Sequence, residues 1–504
     1  MKRHLIKDYI ELLKKHNLLL DINNVLENTE INYVSYNSKD IKENTLFICK
    51  GLNYKKEYLD DAVNNGAIIY VCESINKTRN DIPSVVVSDI RKALSLISQV
   101  YYDFPANKID MIGITGTKGK STIAYYIKSV LDYHMKKLNK KEIAILSSIS
   151  NYDGVINEEA TITSPESLEL NCHIHNAISS NIEHFVMEVS SQALKVDRVY
   201  NILYNIGIFT NIGIDHISDI EHPTFEDYFE NKLKLFNQVN NAIVNIDSDY
   251  SEKIVSEAKK CKRLLTYSTK DKFADVYAYD IKKEDYNTIS FRVKTKEFDE
   301  FFKLEMPGLF NVYNALATIC TGIILDIPYD SIYEGLRIAR ASGRMEGHNT
   351  KDGKIIAIVD YAHNDLSFKK LYESVMQEYP GRKIVTVFGC PGGHAENRRK
   401  DLGLLSGKYS DITYLTSEDP GYEDPKDICE EIAQYVKKEN GEYKIITDRE
   451  TAIKTAIKEN INSVILITGK GNETYEKTKD GFVPYKTDTT CVLEAIDDYE
   501  KIAL

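Results

Sequence analysis

The sequence has no tryptophan, only 11 prolines in 504 residues, and no apolar run near the roughly 18 residues that cross a membrane. The start, Met-Lys-Arg-His-Leu-Ile-Lys-Asp, runs into charge without an apolar signal core. Eight cysteines are scattered, with no Cys-x-x-Cys pair and no zinc spacing, so reduced thiols are expected rather than a disulfide framework or a zinc site. Positive charge is not in excess. The formal net charge of −12 argues against a partner bound by a basic face, which excludes non-specific nucleic-acid binding. Internal repeats, heptad runs and low-complexity linkers are also missing. A soluble cytoplasmic protein of about three ordinary domains is the expectation.

Against these absences one stretch stands out, Met111-Ile-Gly-Ile-Thr-Gly-Thr-Lys-Gly-Lys-Ser-Thr122. Ile109 to Ile114 reads as a short buried strand. Ile123, Tyr126, Ile127, Val130, Leu131, Met135 and Leu138 then recur at the spacing of an amphipathic helix. A strand, a glycine-rich turn and a helix N-terminus make a phosphate cradle. Gly116 and Gly119 let backbone N–H groups turn inward, Lys120 neutralises terminal phosphates and Ser121 holds a magnesium ion. The usual P-loop has glycine at position 114, where this chain has isoleucine, so a shorter Thr-Gly-Thr-Lys-Gly-Lys-Ser loop remains.

Residues 1–107 read as a small α/β unit, with strands at 46–49 and 67–72 and helical periodicity over 58–65. Ser38 and Lys50-Gly51 fall at strand–loop junctions, which either hold a nucleotide or are ordinary turns. From 108 to 343, β/α alternation suggests a largely parallel sheet, with strands at 142–147, 185–189, 205–209 and 242–245. Glu188 ends one strand and Thr210-Asn-Ile-Gly-Ile-Asp-His216 follows another, both crevice positions in an open α/β sheet. Glu188 suits magnesium or a catalytic water. His216 is a metal candidate only alongside Glu188 and Ser121. Lys232 falls on a helix expected over 224–236, where lysines are mostly solvated. Asn311 and Asn314 share a helix face, and either read an adenine edge or cap the helix. Residues 344–504 read as a second doubly wound domain with strands at 355–359, 383–388, 412–415, 444–446 and 464–467. Four polar or glycine-rich loops, 360–363, 389–393, 417–420 and 469–471, follow strands on one sheet edge and suggest a ligand-binding rim.

These motifs, in this order, resemble the Mur ligases: Gly116 to Thr122, Met187-Glu-Val-Ser-Ser191, 211–216, Asp227-Tyr-Phe-Glu-Asn-Lys232, Asn311-Val-Tyr-Asn314, Gly343-Arg-Met-Glu346 and Asp360-Tyr-Ala-His363. Thr163-Ser-Pro-Glu166 and the Asn37-Ser-Lys39 turn narrow the resemblance to the MurE type. The resemblance implies three α/β domains: a UDP-binding domain over 1–107, an ATPase over 108–343 and a Rossmann-like amino-acid-binding lobe over 344–504. It implies ATP-dependent amide formation through an acyl-phosphate, with Mg2+, on UDP-N-acetylmuramoyl-L-Ala-D-Glu, in a monomer. By motif, Gly116, Thr117, Lys118, Gly119, Lys120, Ser121, Thr122, Asn311, Arg344, Asp360 and His363 bind ATP. Ser121, Glu188 and His216 hold the metal, and Lys232 matches a lysine that becomes N6-carboxylysine. Ser38, Thr163, Ser164, Ser190 and Arg198 match positions for the UDP-muramoyl peptide. Gln192 and Val196 depart from the type, which has histidine and glutamine there.

The loop Thr416-Ser-Glu-Asp-Pro-Gly-Tyr-Glu-Asp-Pro425 bears on which amino acid is added. Diaminopimelate-adding relatives carry Asp-Asn-Pro-Arg, whose arginine pairs with the second carboxylate of that substrate; here Gly421 replaces it. Losing such a charge-assisted bond costs about 1.5–3 kcal/mol, roughly 10- to 150-fold in preference. Glu418 and Asp419 instead favour a cationic side chain. Glu473 matches another amino-acid contact and Arg399 is the candidate for the incoming α-carboxylate. L-lysine is expected, with L-ornithine, one methylene shorter, the near alternative. A folate-polyglutamylating sister ligase and an inactive nucleotide-sensing subunit are the rival readings.

Overall fold

The computed structural model describes residues 4–503 apart from 52–53, 74–78, 80, 161, 215–220, 286–287, 342 and 394–396. The chain forms two compact units, Met1–Tyr267 with Ile323–Leu325, and Ser268–Gly322 with Asp326–Leu504.

The first unit begins with a five-stranded sheet in the order Leu19–Asn23, Ser84–Val87, Ala67–Cys72, Thr45–Ile48, Tyr33–Ser35. Only the Leu19–Asn23 edge is antiparallel. Helix Ile6–Lys15 buries Ile6, Tyr9, Ile10 and Leu13, the i, i+3, i+4, i+7 stripe of an amphipathic helix, in the same core as helix Ile90–Tyr101. Asp89 caps the latter by accepting from the amides of Arg91 and Lys92.

The same unit carries a mainly parallel sheet built around Asp110–Thr115, with His184–Glu188 on one side and Tyr204–Phe209 on the other. Val239–Asn245 and then Arg263–Ser268 continue beyond Tyr204–Phe209, and Ala144–Leu146 lies beyond His184–Glu188. The three central strands, Asp110–Thr115, His184–Glu188 and Tyr204–Phe209, are buried along nearly their whole length, as strands covered on both faces are. The register sets Ile114 beside Glu188 on one side and Ile208 on the other. The missing glycine is thereby explained: Ile114 is a wholly buried strand residue, and the turn begins after Thr115.

In the second unit, Val276–Lys283, Ile289–Lys294 and Asp299–Leu304 pair antiparallel. This corrects the expected continuation of parallel β/α alternation to residue 343. Val276–Lys283 and Asp299–Leu304 alternate more and less buried positions, as strands with one wet face do. Residues 346–484 contain a six-stranded sheet ordered Glu346–Asn349, Ile355–Asp360, Ser463–Thr468, Lys383–Phe388, Ile412–Leu415, Tyr443–Ile445. All neighbours are parallel except the first pair. Phe368, Tyr372, Leu402, Ile428 and Ile432 cover one face, and Ala452, Ile453, Ile457, Val492 and Ile496 the other. The α/β class and the doubly wound second sheet are as expected. No helix among the described residues is long and apolar enough to cross a membrane.

Candidate active site

The phosphate loop is strapped down before any ligand arrives. Gly116 has φ 135° and a Cβ there would stand 2.0 Å from the Thr210 hydroxyl, so only glycine fits. The amides of Thr117 and Lys118 donate to the carbonyl and side-chain oxygens of Asn211, both at 2.9 Å. Thr210 and Asn211 in turn donate to the Lys118 carbonyl. Gly119, at φ 88°, caps the helix Lys120–Lys137, whose first-turn amides have no partner within the helix and form an anion seat. Ser121 and Thr122 lie in that first turn, both buried.

Two lysines converge on one oxygen. Lys120 Nζ donates to the Gly116 and Thr117 carbonyls at 3.1 Å each, and Lys232 Nζ donates to the same Gly116 carbonyl at 2.8 Å. Lys232 is 2% exposed, which overturns the solvated-helix alternative. Its helix, Phe225–Leu233, turns its inner face to the loop, with Nζ 4.6 Å from the Tyr228 ring centroid and the Tyr228 hydroxyl 3.2 Å from that of Thr117.

Glu188 ends its strand 1% exposed. Its Oε1 accepts from the Ser148 amide at 2.8 Å and the Ser148 hydroxyl at 3.2 Å, and that hydroxyl lies 2.9 Å from Ser121 Oγ. The result is a cluster of hard oxygen donors of the kind a magnesium ion takes. Ser148 was not singled out in the sequence; its one signal is that it follows the strand Ala144–Leu146 at this same edge. His216 lies outside the described residues. Nearby, the wholly buried His222 shares a hydrogen bond through Nδ1 with Asp227, also held by Lys195.

The expected muramoyl-peptide residues form a second cluster in this unit. The Ser164 hydroxyl donates to the Glu188 carbonyl at 2.9 Å and accepts from the Ser190 amide, while Ser190 caps the helix Ser191–Lys195. Arg198 donates to the Ser164 carbonyl at 3.1 Å and to Glu166 at 2.9 Å. Thr163 is half-buried beside them. Ser38 sits in a turn braced by Asn37, with its carbonyl bound by Asn65.

In the second unit, Asn311 is buried. It donates to the Pro307 carbonyl at 2.6 Å and accepts from Asn314, so both amides brace the start of helix Asn311–Ile324. Asp360 accepts from the amides of Met345 and Ala362, His363 Nδ1 lies 2.8 Å from the Tyr361 carbonyl, and the Arg344 guanidinium lies 4.8 Å over the Tyr361 ring.

The loops after Leu415 and Thr468 meet through a buried cation. Arg449 pairs with Asp488 at 2.7 Å through two nitrogens and donates to the Thr468 and Ser417 carbonyls. Glu418 is thereby pressed against Gly469, where a Cβ would stand 2.0 Å from Glu418 Oε2. That oxygen is buried and has no hydrogen-bond partner. Burial, with Asp419 and Glu473 adding, pushes the Glu418 carboxyl up to about 8 despite Arg449 and Lys470.

Lys470, 1% exposed and not assigned a role from the sequence, donates to Asp419 at 2.9 Å and Glu473 at 2.7 Å. Burial alone would push it down, but the two carboxylates outweigh this and hold it above its ordinary value. Tyr361 donates to the other Glu473 oxygen at 3.1 Å, and the Gly421 amide to the Lys477 carbonyl. Arg399 stands apart from this cluster. It is 4% exposed, with its terminal nitrogens on Glu423, Glu431 and the Pro391 carbonyl, and its Nε has no partner.

Residues 114–322 match the Mur ligase middle domain and residues 343–471 the Mur ligase, glutamate ligase domain. A UDP-N-acetylmuramoyl-L-alanyl-D-glutamate–L-lysine ligase of Enterococcus faecalis is 35% identical, covering 97% of this chain and 95% of its own. A protein of the same description from Streptococcus agalactiae is 37% identical over 92% of each chain. Among solved structures, a UDP-N-acetylmuramoyl-L-alanyl-D-glutamate–2,6-diaminopimelate ligase superposes with a TM-score of 0.66 at 21% identity, covering 97% of this chain and 99% of the other. A folylpolyglutamate synthase of Thermotoga maritima, at TM-score 0.57, covers 75% of this chain and 89% of its own. Sequence, domain order and fold agree that the chain belongs to the Mur ligase family.

Proposed function

We propose that this protein is the ATP-dependent ligase that adds L-lysine to UDP-N-acetylmuramoyl-L-Ala-D-Glu in the assembly of peptidoglycan precursors in the cytoplasm. The observation that carries the amino-acid choice is the buried Glu418 Oε2 with no partner, in a loop where Gly421 stands in place of an arginine. Asp419 and Glu473 share the single positive charge of Lys470, so the cluster keeps an excess of negative charge, and Glu418 is its member with an oxygen left to take a distal ammonium. The full-length relatives whose descriptions specify L-lysine support the same choice.

The division of labour we assign follows the chain: 1–107 hold the UDP end, 108–343 activate the acid and 344–504 present the amine. ATP phosphates lie against the loop Gly116 to Thr122, with Lys120 moving from its carbonyl partners to the phosphates. Asn311, Arg344, Asp360 and His363 serve the rest of the nucleotide. A carboxylate oxygen of the D-glutamyl end attacks the γ-phosphorus, and ADP leaves. The neutral α-amine of lysine then attacks the acyl carbon, phosphate leaves and the amide forms. Mg2+, when bound by Ser121 and Glu188 with His216, offsets phosphate charge and lets an anionic nucleophile approach.

Lys232 is proposed to act as N6-carboxylysine. Two ammonium groups on the Gly116 carbonyl repel one another, and turning one into an anion reverses that repulsion. Ser38, Thr163, Ser164, Ser190 and Arg198 hold the muramoyl peptide, and Gly421 leaves room where a guanidinium would discriminate. Arg399 would meet an α-carboxylate with its free Nε, or with its terminal nitrogens by giving up Glu423 or Glu431.

The test supplies purified protein with ATP, the UDP-muramoyl dipeptide and, separately, L-lysine, L-ornithine and meso-diaminopimelate, following product by mass. Lysine product in clear excess is expected. Preference for diaminopimelate overturns the loop argument, and product with none of the three overturns the reading.

A further inference from the structure

One charged cluster in the first unit joins Arg198 to two further cations, Lys50 and Arg91, that have no part in the chemistry above. The Glu166 carboxylate is shared by three cations: Lys50 Nζ at 2.7 Å, Arg198 Nε at 2.9 Å and Arg91 NH1 at 3.1 Å. Glu169, the other carboxylate facing them, accepts from the Tyr36 hydroxyl, and Lys50 lies 4.1 Å over the Tyr36 ring. Asp89 takes Lys92 and two helix amides. Three cations against Glu166 and Glu169 leave a surplus of one positive charge. The Lys50 side chain is only 9% exposed. Burial lowers Lys50 from its ordinary value despite Glu166, and Arg91 adds to the lowering, so a further anion would relieve the cluster.

Three elements distant in sequence build this arrangement. Lys50 follows the strand Thr45–Ile48, Arg91 lies in the first turn of helix Ile90–Tyr101, and Arg198 follows helix Ser191–Lys195. Glu166 holds all three heads at one point, which costs side-chain freedom and concentrates like charge. Neither helps a fold that has nothing to bind there. The cluster is tied to the strand end by Ser164, whose carbonyl accepts from Arg198 and whose hydroxyl donates to the Glu188 carbonyl. One residue therefore links the cationic group to the strand end where the acid is activated.

We propose that Lys50 and Arg91 join Arg198 in a seat for an acidic group of the muramoyl-peptide substrate, with Glu166 as the positioning residue that holds the three cations in place. The inference rests on the proposed function for the identity of the ligand. The link through Ser164 favours the free carboxylate of the D-glutamyl residue, whose neighbouring carboxyl is the one activated. The sugar-linked diphosphate offers the same anionic chemistry.

The experiment is direct binding by calorimetry to the full chain, with UDP-N-acetylmuramate, its L-Ala derivative and its L-Ala-D-Glu derivative as three ligands and MgATP as a fourth. Lys50→Met and Arg91→Met should each weaken the dipeptide derivative at least about tenfold, as loss of a charge-assisted bond does, with MgATP affinity unchanged. Lys50→Arg and Arg91→Lys should restore most of the loss, which a purely structural role would not do. Loss confined to the D-Glu ligand supports the carboxylate seat; equal loss with all three UDP ligands, whose shared anionic group is the diphosphate, supports the diphosphate. Glu166→Gln should keep affinity within about threefold, since the positive charge remains, while kcat falls because the cations are no longer gathered. Variants that bind the dipeptide ligand as the wild type does overturn the proposal, as does an equal loss for MgATP. A wild-type protein that binds none of the three UDP ligands refutes the ligase reading instead.

Discussion

Glu188 and Glu418 are both buried glutamates, one at and one just beyond the C-terminal end of a parallel strand, yet their surroundings differ in kind. Glu188 is fastened: a main-chain amide and a hydroxyl, both from Ser148, hold one of its oxygens. Glu418 is cornered: Arg449 and Gly469 shape its loop, and its Oε2 meets no donor. A carboxylate with donors in place is set to receive a cation without rearranging. One buried without a donor is costly as an anion, and its charge waits on the arrival of a partner. In the proposed reaction the first suits a metal present through every turnover. The second suits a substrate ammonium that comes and goes.

The largest test of this contrast is Glu188→Gln. It should lower kcat by about 10²–10³-fold, the loss seen when one preset electrostatic contact is removed from a transition state. L-lysine affinity should stay as it was, and an unchanged kcat would remove Glu188 from the chemistry. Glu418→Gln should do the reverse, weakening L-lysine roughly 10- to 150-fold, with the ATP KM unchanged.

The pH dependence separates the two glutamates further. With its carboxyl at about 8, Glu418 is mostly protonated in the free protein at neutral pH, and lysine binding should release a proton. The L-lysine Kd should tighten roughly 20-fold between about pH 6.5 and 8.5, and Glu418→Gln should flatten that slope. The sign for stability is opposite. Between 4.5 and about 8 the folded protein holds a proton the unfolded chain has lost, so this group's contribution falls as pH rises through that window. The smallest expected effect is Ser148→Ala, which removes the hydroxyl but leaves the amide on Glu188. A 2- to 10-fold fall in kcat, roughly one hydrogen bond, is the expected outcome, read against an unchanged lysine Kd.

Legibility tracked how local each feature is. The phosphate loop lies within residues 110–122, and strand, turn and helix signals there are contiguous. Glu188 could be picked out because an apolar run ends on it. Ser148 could not, since hydroxyls after a strand are common and its meaning comes from Glu188, 40 residues away. Lys232 reads from its own helix as a solvated lysine, and only its match to the family motif gave it a role, because nothing in the helix reveals that the partner is the carbonyl of Gly116. Arg399 read as the candidate for the incoming α-carboxylate, but its partners in the fold, Glu423 and Glu431, lie 24 and 32 residues on. The antiparallel strands over 276–304 were missed because the β/α rhythm before them was carried forward too far.

The sequence by itself determined the α/β class, the phosphate loop, the order of the family's motifs and the absence of an arginine at Gly421. Each is written in a contiguous stretch whose spacing and chemistry need no distant partner. Only the tertiary structure decided which charges are already spent. Lys470 is shared between Asp419 and Glu473, Glu166 gathers Lys50, Arg91 and Arg198, and Glu418 is left with an unpaired oxygen. The reason is physical: a side chain's charge acts through what lies within a few ångströms and how much water is excluded, and both are set by the packing of segments far apart in the chain.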